Sequence, residues 1–204
     1  MSGANEQREL KPTPEAEVLY RRWLGYLNDE FTRGTTEERR AEVVRDELYQ
    51  IYLGHPHGGK ANTTLSSELG SAVLAESLHP MNITLAAEHV EGIDWGRFAP
   101  RKPLIWFWRM FDRSPLGLNH WLGVRFRCML GRHIFAGVGK GVAIGCGVEF
   151  TFGYGITVED NVRIRRNAVL DDRRGLVLGS GTVVEEGARV GPEEVEGSGR
   201  ESLG

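Results

Sequence analysis

From Val138 onward, apolar residues return at a fixed interval of twenty. Val138, Val158 and Leu178 form one row, Ile144, Ile164 and Val184 a second, and Phe150, Leu170 and Val190 a third. Within each cycle the rows are six residues apart, and two further residues enter after the third row. At the chain's 40% hydrophobic content, nine apolar residues in such a register would arise by chance about 3 times in 10,000. The positions two earlier agree: Ala136, Ile156, Leu176; Val142, Val162, Thr182; and Val148, Ala168, Ala188, all apolar except the threonine. Side chains two apart on a strand share a face, so each short strand directs two residues inward. The corners follow the same interval. Gly141, Asn161 and Gly181 share one position, Gly147, Asn167 and Gly187 another, and Gly155 and Gly175 a third. Glycine and asparagine accept positive φ at least cost, which a tight corner demands. The pattern predicts three coils of a parallel β-helix from about His133 to Pro192. Such units cannot bury their own apolar face, so they must stack.

Upstream the period is helical. Thr13-Pro14 offers an N-cap followed by proline at the first helical position, and Leu19, Trp23, Leu27 and Phe31 follow at helical spacing. Thr35-Thr36-Glu37-Glu38 reads as a capping box. Val44, Leu48, Ile51 and Tyr52 mark a second stripe that Gly54 ends. These two helices are expected to pack as an antiparallel pair. Residues 54–64 read as a loop and Ser66 to Leu78 as a further helix. From 79 to 132 the apolar residues cluster without a clean period, and four of the five tryptophans lie there (Trp95, Trp106, Trp108, Trp121). That stretch is expected to be an irregular adaptor laid over one end of the β-helix. The expected organisation is a disordered lead over 1–12, an α-helical region over 13–78, the adaptor over 79–132, the β-helix over 133–192 and a disordered tail over 193–204.

Charge is nearly balanced, with 25 basic and 28 acidic residues and a net charge of −3. That leaves no field for nucleic acid or an anionic bilayer. The two cysteines, Cys128 and Cys146, have neither metal-ligand spacing nor companions for a disulfide framework, which points to a reducing, cytoplasmic setting. The polar N-terminus has no signal-peptide core, and the longest apolar run, Pro103 to Trp108, is too short for a transmembrane segment.

The stretch from about His79 through FDRSPLG (Phe111 to Gly117) to Gly191 resembles the hexapeptide-repeat acyltransferases, and VEFTFGYGITVEDNVRIRRNAVLDDRRGLVLG (Val148 to Gly179) carries most of the likeness. The resemblance implies a mainly β chain: a left-handed parallel β-helix of about three coils preceded by an α-helical N-terminal region. Left-handedness comes from the resemblance alone, because the general rule for parallel crossovers is right-handed. The resemblance further implies a homotrimer that moves an acyl group from acetyl-CoA or another acyl-CoA to a hydroxyl or amine of a sugar or small metabolite. The acyl-CoA is a co-substrate in the groove between neighbouring β-helices, and no resident cofactor or metal is expected.

Acyl transfer needs a base for the acceptor's proton and donors for the developing oxyanion. In the family the base is a histidine on a turn of the β-helix, often in a Thr/Ser-His-x-His phrase. Here no histidine follows His133, and after Pro192 the chain runs into EEVEGSGRESLG, without further coils. His120 and His133, which flank the end of the adaptor, are the histidine candidates. Tyr154, Asp171, Asp172 and Arg173, with Arg174, occupy the extra residues between coils and are candidates for contact with the acceptor or with the phosphates of coenzyme A. Gly54 to Lys60 matches a phosphate-cradling loop in outline, but Ala61 stands where the magnesium-binding hydroxyl belongs and a helical pattern precedes it. His55 and His57 have no carboxylate or cysteine beside them to complete a metal site.

Three functions compete at this level. The first is an acyltransferase, truncated and impaired relative to its relatives. The second is a non-catalytic trimeric β-helix scaffold. The third is a membrane-surface enzyme, suggested by LIWFWRMF beside Arg101, Lys102, Arg109 and Arg113, though the same residues suit a cap over the first coil.

Overall fold

A computed structural model describes residues 11–58 and 65–192, with the backbone alone over 65–71. Residues 1–10 of the expected lead, the tail over 193–204 and part of the lysine-bearing loop lie outside the described residues.

Helix α1 spans Pro14–Arg33, with Thr13 as N-cap accepting from the Ala16 amide and Pro14 opening the first turn. Helix α2 spans Glu37–Leu53 and ends on Gly54 in the left-handed region, at φ 72°. Its cap is half of the expected box. Thr36 is the N-cap and accepts from Arg39, so the third helical residue is an arginine and no glutamate reciprocates. The two helices do not pack mainly on each other. Helix α2 lies chiefly against α5 (Lys102–Arg113) and α1 against α6 (His120–Ile134), because those helices present large aromatic faces. Trp23 stacks on Phe126, Phe31 meets Phe107 edge-on, and Phe111 stacks on Phe126 with centroids 3.7 Å apart. Helix α3 (Leu65–Leu78) and the short α4 (Trp95–Phe98) complete this half.

The segment expected to be irregular therefore carries α4, α5 and most of α6. Most apolar residues of LIWFWRMF are spent inside: Leu104, Ile105, Phe107, Trp108 and Phe111 are buried, and Trp106 and Met110 are half-buried. Trp108 donates its indole N–H to the Val148 carbonyl at 3.0 Å and packs edge-on against Phe150, so the aromatic helix covers the first coil. No helix among the described residues is long and apolar enough to cross a membrane.

Three coils follow. The first holds β1 (Gly137–Val138), β2 (Ala143–Ile144) and β3 (Glu149–Phe150), the second β4 (Ile156–Val158), β5 (Arg163–Ile164) and β6 (Val169–Leu170), and the third β7 (Leu176–Leu178), β8 (Val183–Val184) and β9 (Arg189–Val190). Each forms one strand of three parallel sheets, ordered β1-β4-β7, β2-β5-β8 and β3-β6-β9. Every paired residue lies twenty on from its partner, as Val138 with Val158 and Ile144 with Ile164. This arrangement is compatible with a parallel β-helix. The chain is not mainly β, however: helices take 50% and strands 12% of the described residues. Strands of two or three residues leave most of each coil to corners, whereas the described residues before the coils are mostly helix.

The corners have the predicted conformation. Asn161 and Asn167 sit at φ 59° and 58°, the only non-glycine residues at positive φ among those described. Between coils the positive φ falls on Gly153 and Gly175 instead of Gly155. Gly155 is needed for a different reason: a Cβ there would run into the Asp172 carbonyl. The middle coil is the best buried, with Ile156, Val162, Ala168 and Leu170 at 0% exposure, while Leu176, Thr182, Ala188 and Val190 of the third coil are half-exposed. Helical and coil residues share one hydrophobic core.

Candidate functional site

The loop residues between coils stack as the strands do, residues 151–155 against 171–175. Asp172 is buried, and its carboxylate accepts the amides of Phe152 at 2.7 Å and Gly155 at 2.9 Å. Two backbone donors satisfy this anion, so it fixes the bulge of the preceding coil in place of facing a ligand. Tyr154 is buried too, stacked on Phe152 with its hydroxyl accepting from the Asp94 amide at 2.9 Å. Arg97 donates to the Tyr154 carbonyl and lies over its ring at 4.6 Å. Tyr154 thus pins the segment around α4 to the coils.

Arg173 is exposed and Asp171 half-buried. Their side chains form an ion pair at 2.5 Å, and the Arg173 amide also donates to Asp171. The hydrogen bonds from Arg173 hold the Asp171 carboxyl below its ordinary range. With exposed Arg174 beside them, these residues form the outer part of the bulge. The structure therefore splits the predicted group: Tyr154 and Asp172 are buried, Asp171 half-buried and Arg173 exposed.

The two histidines separate as well. His120 opens α6 and is exposed. His133 is half-buried near the other end of that helix, its Nε2 3.2 Å from Asn28 Oδ1 and its ring edge-on to Phe31. Burial first, then Arg40 and Arg132, lowers its pKa to about 4. A neutral imidazole there donates Nε2–H to Asn28 and ties α6 to α1. His133 is in this way a structural histidine, committed to α1.

No histidine lies on the coils, and most coil carboxylates are engaged. Glu159 accepts from the amide and hydroxyl of Ser180, Asp160 accepts from the Lys140 amide, and Glu185 and Glu186 face Arg165 and Arg166 at 3.3 and 3.0 Å. Burial raises the pKa of both Cys128 and Cys146, which keeps the thiols protonated and weakly nucleophilic. Among the described residues no group of three or more histidine, cysteine or carboxylate side chains is placed to hold a metal ion.

One constellation escaped the sequence. Arg127, 1% exposed, donates through Nε to Asp112 Oδ1 at 2.7 Å and through Nη2 to the Gly117 carbonyl, with Nη2 ion-paired to Asp112 Oδ1 at 2.6 Å. Asp112 Oδ2 in turn accepts the Gly147 amide at 2.8 Å. This pair joins α5, α6, their connection and the first coil. Its only sequence signal was an arginine inside the apolar face of α6. No protein-family model and no curated protein matches the chain.

Proposed function

We propose that the chain is a hexapeptide-repeat protein of the acyltransferase kind, its coils wound left-handed, trimeric through their faces and binding acetyl-CoA or a longer acyl-CoA. The observation that carries this reading is the twenty-residue pairing register with asparagine at left-handed corners, combined with the likeness over Val148 to Gly179. Arg173 and Arg174, exposed on the bulge, are the cations placed for the phosphates of the donor, with Asp171 orienting Arg173. His120, exposed at the start of α6, is the remaining candidate for taking the proton of a hydroxyl or amine acceptor. The setting proposed is the cytoplasm.

A second reading, a non-catalytic trimeric scaffold, is favoured by the commitment of His133, Tyr154 and Asp172 to structural contacts. Calorimetric titration with acetyl-CoA separates the two. Binding near one per chain, weakened in Arg173→Ala/Arg174→Ala, is the expected result. Absence of binding at millimolar acetyl-CoA would overturn the acyltransferase reading and leave the scaffold.

A further inference from the structure

Away from the coils, Trp23 of α1 and Glu47 of α2 meet at the edge of a cavity. The indole N–H donates to Glu47 Oε2 at 2.8 Å, and the indole stacks on Phe126 and Phe111 with centroids at 5.8 and 6.3 Å. The cavity, of 360 Å³, is lined by Trp23, Glu47, Gln50, Ile51, Pro115 and Leu116. Apolar walls with one amide and one carboxylate are the make-up of a small-molecule site, and the volume sits at the small end of the range of about 300–1,000 Å³ for such sites.

The carboxylate decides what fits. Its Oε2 is held by a neutral donor, and among the described residues no cation pairs with Glu47 and no donor reaches Oε1. Burial, and after it the charge of Asp46, raises its pKa, against the pull of the indole N–H. The surrounding charge does not compensate. Glu30 and Asp46 lie close enough to act on neighbouring Tyr26, as Glu47 does, and Arg39 is drawn to Glu30 and Glu42 at 2.6 and 3.1 Å. A partly desolvated anion without a counter-charge is unfavourable, and a bound cation relieves it.

We propose that this cavity binds a small organic ammonium ion, its charged head on Glu47 and its apolar body against Trp23, Ile51 and Leu116. No coil residue lines the cavity, so the site stands independently of the acyl-CoA reading.

The test is titration of the full chain with phenethylammonium chloride and, in parallel, with phenethyl alcohol, which has the same body without the charge. Saturable binding of the ammonium about tenfold or more tighter than the alcohol is expected, from the strength of charge-assisted contacts. Glu47→Gln keeps the side chain's size and an acceptor for Trp23, and should bring the ammonium down to the alcohol's affinity. Leu116→Trp, which fills the cavity without touching the charge, should abolish binding of both. Thermal unfolding of each variant separates loss of the site from loss of the fold, and Leu116→Trp serves if Glu47→Gln does not fold. Equal affinity for ammonium and alcohol, ammonium binding unchanged in either variant, or no saturable ammonium binding at millimolar concentration would each overturn the proposal.

Discussion

In the coil stack a residue's neighbour is found by adding twenty; in the helical half it is found only from the fold itself. Val158 pairs with Val138 and Leu178, and Asn161 and Asn167 turn the same corners as the glycines before and after them. In the helical half, His133 meets Asn28 across 105 residues and Tyr52 donates to the Met110 carbonyl across 58, with no rule linking the two. The stack is stabilised by repetition and the helical half by particular aromatic and polar contacts. The difference implies unequal tolerance: a lost contact has near copies in one region and none in the other.

The seam between the regions should be the most sensitive point. Arg127→Met leaves the Asp112 carboxylate buried with only the Gly147 amide, and removing one partner of a buried pair costs about 3–5 kcal/mol. Denaturant unfolding would show the midpoint falling with an unchanged slope. Two separate transitions, or a loss under about 1 kcal/mol, would mean that the halves are not coupled through this pair.

A middle-sized effect belongs to the helical half alone. His133 is lowered to about 4 from an ordinary value near 6.5, so between those pH values the unfolded chain binds more protons than the folded one. Stability is full above about pH 6.5 and falls as the pH drops toward 4, by about 1–2 kcal/mol once solvent screening of a half-buried ring is allowed for. His133→Gln, which keeps a donor for Asn28, should flatten that slope in melts run across the window. An unchanged slope would place the pH sensitivity elsewhere.

The smallest effect belongs to the coils. Arg165 and Glu185 form an exposed pair at 3.3 Å, one rung of a ladder with Arg166 and Glu186. Glu185→Gln should cost under about 0.5 kcal/mol. A larger loss would show that surface charge contributes to coil stacking, beyond the inward rows.

The same contrast explains what the residues disclosed in advance. The inward rows, the asparagine corners and the caps at Thr13 and Gly54 rest on short intervals, and they are legible because each residue's job repeats or is local. Helix α5 was illegible because Trp106 and Met110 share its half-exposed side with Lys102, Arg109 and Arg113, and those apolar residues blur the polar stripe from which a period is read. In α6, Arg127 interrupts the apolar face, yet that interruption is the buried ion pair. Among the site candidates, Asp172 read as a ligand contact because the bulge was taken one coil at a time. Its carboxylate reaches the Phe152 amide exactly one period back, an offset the repeat already contained. Glu47 carried no signal, since a carboxylate on an amphipathic helix is ordinarily at the surface.

The constant interval also bears on how such a chain changes over generations. A single inserted residue in any coil would turn inward side chains outward from that point on. A duplicated or deleted block of twenty would leave every remaining pairing in register, because β4 can stand on β1 as β7 stands on β4. The stack is thus free to lengthen or shorten by whole coils and in no smaller step, and its size is inherited as a count.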